Sequence, residues 1–435
     1  MVRHPADREI VGLALPAMAA LAADPLLGLV DTALVGRLGA VPLAALGVGV
    51  AIFSFLFVAG NVLAYGTTAE VARQRGAGQA DAAARHALQA LWLAVGVGLV
   101  VVLGLVVAAP WVVVAMGADP VVAEPATAYV RVRALAGVPV LVVMVGHGAF
   151  RGLKDTRTPL RITVAANGAN AVLSWALIYP AGLGVVGAAW GTVLAQGGAA
   201  ITFLVLGSRA LPQRDLRVEP AAMARIARVS RDLLLRTVSL LAGLLVTTAM
   251  AARIGAETVA AHQVARELWT FLTLVLDGFA IAGQAMVADA LGRGRPLGAR
   301  RIGTRLISWG LVTGVGLGLG YLALAGPLPR LFTADPAVLA EIASVWWLVA
   351  LLQPLGGVVF VLDGVLMGAA DYRFLLWSTG IAALAVLVPL SAAAWLLGWG
   401  LVGIWWAMVA MMTVRLVTIV GRFATGGWAR AAPGS

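Results

Sequence analysis

The chain has 435 residues, of which 61% are hydrophobic and only 12% are charged. Soluble domains carry about 25% charged residues, so this composition excludes an ordinary soluble protein and indicates one embedded in a membrane. The absence of cysteine excludes disulfides, thiolate catalysis and iron–sulfur ligation. The four histidines are scattered without the spacing of a metal site, so we expect no metal and no other cofactor.

Twelve apolar stretches follow one another along the chain, each long enough for the ~20 residues that a bilayer-spanning helix requires. They lie near 10–34, 43–72, 86–109, 122–148, 158–180, 185–206, 222–250, 257–290, 299–320, 337–366, 374–397 and 400–423. Most of the 31 Lys and Arg residues fall in alternate connecting segments, which predicts that both termini are cytoplasmic. The net charge of +11 therefore indicates topology and contact with anionic lipid headgroups, and no nucleic-acid partner.

The chain also contains an internal repeat. VDTALVGRLGAVPLAAL at 30–46 aligns without gaps with VTTAMAARIGAETVAAH at 246–262, an offset of 216 residues. The same offset places Asp119 on Asp335, and further blocks keep the same register. Each repeat holds six spans, so both halves enter the membrane in the same direction and leave a cleft between two lobes.

The repeat predicts an all-α integral membrane protein. We expect 12 transmembrane helices in two six-helix lobes, related by a pseudo-two-fold axis along the membrane normal. The predicted lobes are residues 1–206 and 222–435, joined by a cytoplasmic linker at 207–221. This architecture is typical of transporters that work by alternating access, and a structural membrane scaffold is the alternative.

Polar residues break the symmetry of the repeat. Asp31 aligns with Thr247, and three more polar residues align with apolar ones: Asn170 with Val386, Ser174 with Leu390 and Thr192 with Met408. Asn167, Asn170 and Ser174 lie on one face of the fifth span. With Asp31 and Thr192 they form a candidate pocket of oxygen and nitrogen ligands, which suits a proton or a small hard cation such as Na⁺. For Asn167 or Ser174 taken alone, a helix–helix hydrogen bond is the better interpretation.

The first span carries a second acid and two prolines. Asp24 lies two helical turns before Asp31, near the bilayer midplane, where transporter substrates usually bind. We interpret it as an attraction for cationic substrates, with pairing to Asn61 or a backbone donor as the alternative. Pro16 and Pro25 lack amide hydrogens and can bend this helix.

The second half has acids of its own within the apolar spans. Asp277 lies in TFLTLVLDGFAIAGQAM, and Asp363 lies in FVLDGVLMG. Ionisable residues at such depth are expensive and are a functional hypothesis by default. They form a candidate second protonation or substrate site.

Several segments resemble one transporter family. LALP…VDTALVGRLG, GQADAAAR and FRGLKDTRTPL resemble the multidrug and toxic compound extrusion (MATE) family, and VLDGVLMGAADYRF resembles its DinF-like branch. The resemblance implies a V-shaped fold of two six-helix lobes that exports organic compounds in exchange for H⁺ or Na⁺. It implies that Asp31, Asn170 and Thr192 bind the coupling ion and that Pro16 is the bend. Ser174 departs from the family, where an aspartate is common, and this departure favours H⁺ over Na⁺.

We therefore expect a secondary active multidrug efflux antiporter of the plasma membrane, coupled through Asp31. Its partners would be small organic substrates, often cationic and amphipathic, and membrane lipids, and we expect a monomer. The alternative is a flippase for lipid-linked precursors with a similar two-lobe architecture, which would favour a more basic cleft. An intramembrane enzyme is the second rival; it would require a nucleophile with a base, or paired acids at a catalytic motif, and neither GxSxG nor HExxH appears. We therefore expect no enzyme.

Overall fold

The structure is a computed structural model that describes residues 5–213 and 215–429, apart from the side chains of Pro5, Asp24 and Phe55. Within these residues the chain is almost entirely helical. A helix pairs its backbone N–H and C=O groups within its own segment, which is the condition for placing a backbone in lipid. The apolar stretches therefore fold as helices, and short turns connect them.

The described part of the first half, residues 5–213, holds seven helices. They are α1 (Pro5–Gly36), α2 (Ala40–Gly76), α3 (Ala80–Ala115), α4 (Pro120–Ala134), α5 (Gly137–Gly152), α6 (Arg157–Ile178) and α7 (Gly184–Ala210). The pair α4 and α5 is bent by 48° and fills the fourth predicted span.

The second half repeats this order. Its helices are α8 (Pro220–Ile254), α9 (Ala256–Gly292), α10 (Pro296–Ala323), the short α11 (Pro327–Arg330), α12 (Pro336–Gly368), α13 (Tyr372–Gly380), α14 (Val388–Leu396) and α15 (Gly400–Thr425). A π-helical segment, Ile381–Leu387, joins α13 to α14. A single 3₁₀ turn, Gly427–Ala429, follows α15.

Within the described residues, ten helical segments are long and apolar enough to cross a membrane, and the bent pair of α4 and α5 adds an eleventh if it forms one span. The remaining predicted span is α6, whose 22 residues are long enough to cross. Its apolar character is reduced by the asparagine and serine residues of the candidate site. The predicted fold class, an all-α membrane protein of two six-span halves, is confirmed.

The helices pack into two compact units. The first-half unit is Ala19–Ser230, and the second-half unit is Met1–Met18 together with Arg231–Ser435. These bounds differ from the predicted lobes in two places: the first half of α1 belongs with the second-half unit, and residues 220–230 at the start of α8 belong with the first-half unit. The division of α1 falls between Met18 and Ala19, between Pro16 and Pro25.

Two contacts explain why the start of α1 belongs to the second-half unit. Asp7 accepts hydrogen bonds from Nε and Nη2 of Arg305 on α10, both at 2.7 Å, and from Nε1 of Trp309 at 3.0 Å. About two turns after Asp7, α1 passes so close to α9 that a Cβ on Gly278 would lie 2.8 Å from the carbonyl oxygen of Ala14. A glycine permits this close approach because it has no side chain.

The backbone confirms the register of the internal repeat. Lys154 and Ala370, which are 216 residues apart, have left-handed φ angles of 61° and 60°. Asp119 and Asp335 both cap the helix that follows, through a side-chain oxygen that accepts from a backbone N–H two residues on. The two halves therefore share a left-handed residue and an aspartate helix cap at equivalent positions.

Candidate functional site

The first-half unit contains a buried polar network between α6 and α7. Asn170 Nδ2 donates to Thr192 Oγ1 at 3.0 Å, and Ser174 Oγ donates to Asn170 Oδ1 at 3.3 Å. The Thr192 hydroxyl in turn donates to the carbonyl oxygen of Ala188 at 3.1 Å. All three side chains are buried, with Ser174 at 0% exposure. The structure thus brings together three of the predicted site residues.

Two glycines allow the helices to pack closely enough for this network. A Cβ on Gly191 would lie 2.4 Å from Ser174 Oγ and 2.8 Å from the Ser174 backbone nitrogen. One turn earlier on α7, a Cβ on Gly187 would lie 2.7 Å from the carbonyl carbon of Leu177. Neither position accepts a side chain without moving α6, so the sequence of α7 itself fixes the position of Ser174.

Asp31 lies on the second half of α1 and faces this network. It is half-buried, and its Oδ1 atom is buried without a hydrogen-bond partner. The Arg133 guanidinium group attracts its carboxyl group electrostatically, and the Ser174 hydroxyl is close enough to interact with it. No salt bridge to Asp31 is formed within the described part of the chain. A buried carboxyl oxygen without a partner is unusual, because such atoms are normally hydrogen-bonded.

Arg133 is a residue that the sequence analysis missed. It lies at the end of α4, half-buried, with its guanidinium carbon 5.1 Å from the centre of the Phe53 ring. The buried Tyr129, one turn earlier on the same helix, interacts with Arg133 and Asp31. The repeat offers the signal that would have found it, because the offset of 216 pairs Arg133 with Val349.

Asn167 contacts α1 rather than the buried network. Its Nδ2 donates to the carbonyl oxygen of Ala23 at 3.0 Å. Tyr179, beyond the end of α6, donates from its hydroxyl to the carbonyl oxygen of Leu34 at 2.8 Å. These two contacts hold the backbone of α1 on both sides of Asp31.

The predicted substrate residues are spread over both units. The side chain of Asp24 lies outside the described residues, and Asn61 is half-buried on α2. Asp277 is half-buried on α9 of the second-half unit. Asp363 on α12 is buried and forms ion pairs with Arg236 and Arg415. The pairing of Asp363 could not be read from the sequence, because its partners lie 127 and 52 residues away.

The two prolines in the interior of α1, Pro16 and Pro25, do not interrupt the helix. It runs continuously from Pro5 to Gly36, with Pro16 half-buried and Pro25 exposed. Each proline removes one backbone hydrogen bond from the helix interior, which weakens the helix locally. The role of either proline in bending stays a prediction.

The first-half site presents kinds of group that can bind an ion. Its functional groups are one carboxyl group, one amide and two hydroxyls, with a guanidinium group nearby. Within residues 5–213 and 215–429, no three His, Cys, Asp or Glu side chains converge as metal ligands would. The arrangement can exchange a proton at the carboxyl group, or hold a hard cation between oxygen atoms.

An all-α membrane fold with a buried polar network beside a carboxyl group, inside one six-span unit, is typical of a multi-pass membrane transporter. The family model MatE matches residues 16–176 and 234–392, one block in each half. The chain belongs to this family, the multidrug and toxic compound extrusion transporters, and the predicted resemblance is confirmed. The protein is accordingly an efflux transporter and not an enzyme.

The relatives place the chain within the family. It is 35% identical to Protein DETOXIFICATION 44, chloroplastic, of Arabidopsis thaliana, over 97% of this chain and 83% of the relative. It is 29% identical to DNA damage-inducible protein F of Escherichia coli (strain K12), over 94% of this chain and 90% of the relative. The latter similarity supports the predicted DinF-like branch. The solved structure "Crystal structure of MATE in the bent conformation" has the same fold, with a TM-score of 0.88, 22% identity and coverage of 98% and 95%.

Proposed function

We propose that the protein is an antiporter that exports organic, often cationic and amphipathic, compounds in exchange for H⁺ bound at Asp31. The observation that carries this proposal is the buried, unpartnered Oδ1 of Asp31 beside the network of Asn170, Ser174 and Thr192. A carboxyl oxygen in this position gains a hydrogen-bonding role when the group is protonated. A residue kept only for packing would gain nothing from it.

The charges around Asp31 favour H⁺ over Na⁺. A carboxylate at this site already has one nearby cation, the guanidinium group of Arg133. Either ion leaves the site with a net charge of +1, but Na⁺ would also place a second cation close to the guanidinium group, and repulsion between the two is costly in a buried environment. Binding a proton removes the charge of Asp31 and needs no further ligands. Ser174 carries a neutral hydroxyl, which is hydrogen-bonded to Asn170. It therefore supplies no second negative charge to balance a Na⁺ ion.

The transport cycle that we propose begins with protonation of Asp31 from the outside. Loss of the negative charge weakens the attraction between α1 and Arg133 and lets α1 bend near Pro16 or Pro25. Bending changes the first-half cavity and favours substrate release outward, and loss of the proton to the inside resets the helix. The coupling requires that the two conformations bind the proton with different affinity. Exchange of one proton for a neutral compound moves one net charge, which gains about 2.3 kcal/mol through 100 mV, equivalent to roughly 50-fold accumulation.

The proposed setting is the plasma membrane, with both termini cytoplasmic and the protein working as a monomer by alternating access. Asp24, Asn61 and Asp277 are the proposed substrate residues in this scheme. The acidic members of this set favour a cationic group on the substrate. The distribution of Lys and Arg between connecting segments supports the orientation.

The test is ethidium transport by the purified protein in proteoliposomes, with pH and Na⁺ gradients imposed separately. We expect an outward-directed ethidium flux driven by the pH gradient, and none driven by Na⁺ alone. Asp31→Asn keeps the size of the side chain but cannot exchange a proton, so pH-driven transport should fall to the background of empty liposomes. Asp119→Asn is the matched control, because asparagine caps a helix as well as aspartate does.

Full pH-driven transport by Asp31→Asn would refute the proposal. Transport that follows the Na⁺ gradient and ignores pH would refute the choice of ion. The Asp119→Asn control must retain wild-type transport, since it changes the same functional group outside the site.

A further inference from the structure

The start of α10 carries an open, basic groove that the proposed coupling cycle does not use. The groove has a volume of about 520 Å³, and all of its lining residues belong to the first turns of this one helix. They are Leu297, Arg300, Arg301, Thr304, Arg305 and Ser308. On the proposed topology, this end of α10 lies at the cytoplasmic surface of the membrane.

Two of the three arginines in the groove have no carboxylate partner. Arg305 is paired with Asp7 through two hydrogen bonds of 2.7 Å, which balance its charge. Arg300 and Arg301 are exposed and form no ion pair within the described residues. Arg300 donates from Nη2 to the carbonyl oxygen of Ala424 at 3.4 Å, a contact that carries no negative charge. The groove therefore presents two neighbouring positive charges that attract an anion.

The same face of α10 becomes apolar beyond the groove. Arg300, Thr304 and Ser308 follow one another at intervals of four residues, so they lie on one face of the helix. The next residues along this face are exposed and apolar: Leu311, Val312, Val315 and Leu319. A basic end followed by an exposed apolar stripe matches a phospholipid, whose phosphate stays at the surface while its acyl chains extend inward. A free phosphate ion would use the basic end alone.

The internal repeat shows that the fold does not require an open, basic surface at this position. The offset of 216 pairs Arg300 with Ala84, Thr304 with Leu88 and Ser308 with Trp92 on α3. In the first-half unit, Ala84 and Leu88 line an apolar cavity of about 310 Å³ together with α5, α7 and the segment that follows α7. The equivalent helix face is thus apolar and covered in one half, and basic and open in the other.

The segment after α7 is held on α3 by specific hydrogen bonds. Gln89 donates from Nε2 to the carbonyl oxygen of Arg217 at 2.8 Å, and its Oε1 accepts from the backbone N–H of Glu219 at 2.9 Å. Trp92 donates from Nε1 to the carbonyl oxygen of Leu216 at 3.2 Å. Within the described residues, the groove of the second-half unit is lined by α10 alone. The face that the chain itself covers in the first half is therefore free for a ligand in the second.

We propose that the groove binds the headgroup of an anionic phospholipid of the cytoplasmic leaflet. Arg300 and Arg301 supply the positive charge and the N–H donors for the phosphate oxygens, and the apolar stripe beyond Ser308 receives the acyl chains. Arg305 lines the groove while it holds Asp7, so the lipid binds beside the contact that anchors the start of α1. This inference does not depend on the proposed exchange of H⁺.

The experiment measures lipid binding to the delipidated protein in detergent by native mass spectrometry. Phosphatidylglycerol and phosphatidylcholine with identical acyl chains are titrated separately, and we expect the wild-type protein to bind phosphatidylglycerol more tightly. The double variant Arg300→Gln/Arg301→Gln should weaken phosphatidylglycerol binding by at least ~10-fold, equivalent to about 1.4 kcal/mol. It should leave phosphatidylcholine binding within about two-fold.

The matched control is the double variant Arg157→Gln/Arg161→Gln. These two arginines are exposed at the start of α6, so the control removes the same charge outside the groove. We expect it to bind phosphatidylglycerol within about two-fold of the wild type. Thermal unfolding without lipid reports whether each variant is folded. Added phosphatidylglycerol should raise the unfolding temperature of the wild type and the control more than that of Arg300→Gln/Arg301→Gln, because a ligand of the folded state stabilises it.

Three outcomes would overturn the proposal. The first is equal affinity of the wild type for the two lipids. The second is an equal loss of phosphatidylglycerol binding in the two double variants, which would indicate a diffuse attraction to basic surface. The third is displacement of phosphatidylglycerol by glycerol 3-phosphate at equal concentration, which would assign the groove to a soluble phosphate compound and not to a lipid.

Discussion

Gly191 is the position where a single added methyl group should disturb the coupling site most. In Gly191→Ala the new Cβ would meet Ser174 at 2.4 Å from Oγ and 2.8 Å from the backbone nitrogen. The hydroxyl can rotate away, but the backbone of α6 cannot. Ordinary van der Waals contact begins near 3.4 Å, so α6 and α7 must separate by about 0.6 Å at this point.

The expected cost of this separation is about 1–3 kcal/mol, the usual range for overpacking a tight interior. The same movement lengthens the hydrogen bond from Asn170 to Thr192, which is 3.0 Å in the native protein. We therefore expect Gly191→Ala to lower both thermal stability in detergent and pH-driven ethidium transport. Thermal unfolding and proteoliposome transport measure the two effects.

The matched control is Gly198→Ala on the same helix, where a Cβ would meet nothing within 4 Å. This change should be neutral or slightly stabilising, since alanine is favoured over glycine inside a helix by up to about 1 kcal/mol. If Gly191→Ala and Gly198→Ala behave alike in both measurements, close packing of α6 on α7 does not determine the site geometry.

Three further substitutions test other parts of the account. Arg133→Gln removes the cation beside Asp31, so we expect this variant to gain the Na⁺-driven ethidium transport that the wild type lacks. The control is Arg131→Gln, because Arg131 is exposed on the same helix, and it should leave the ion dependence of transport unchanged. Asn167→Ala removes one hydrogen bond to the backbone of α1, so thermal unfolding should show that the free energy of unfolding falls by about 1 kcal/mol. An unchanged unfolding transition would contradict the role of this contact. Asp7→Asn breaks the bidentate ion pair with Arg305, and chemical denaturation should show that the free energy of unfolding falls by about 1–3 kcal/mol. An unchanged free energy of unfolding would mean that this pair does not anchor α1.

Periodic and repeated features of the sequence predicted the fold well. The apolar stretches predicted the helices because every span needs the same length and the same apolar character. The offset between halves predicted equivalent backbone positions such as Lys154 and Ala370, whose φ angles agree to within a degree. Local breaks were not predicted. The bend between α4 and α5 and the π-helical segment Ile381–Leu387 depend on packing against neighbouring helices, which sequence periodicity does not report.

The candidate site was predicted only in part. Asn170, Ser174 and Thr192 were found because the repeat exposes polar residues that have apolar counterparts. Arg133 has the same signature, since it aligns with Val349, but it was not singled out within the fourth predicted span. Asp363 was predicted to form a second protonation or substrate site with Asp277. Its ion pairs with Arg236 and Arg415 were not predicted, since pairs between helices distant in sequence leave no periodic signal.

The boundary between the two units could not be predicted from the sequence either. A continuous helix gives no sign that its first half packs with the other end of the chain. The contact of Asp7 with Arg305 joins residues 298 positions apart, and either residue alone reads as a charge at the membrane surface. The repeat cannot reveal it, because the division falls inside a span and not between repeats.

The most direct test of the account is the movement of protons during transport. A pH-sensitive dye in the lumen or the bath of proteoliposomes reports proton flux when ethidium is added, with no gradient imposed beforehand. If Asp31 carries the coupling proton, the wild type moves protons opposite to ethidium and Asp31→Asn moves none. Equal proton flux in the two proteins, or ethidium exchange without any proton flux in the wild type, would contradict that assignment.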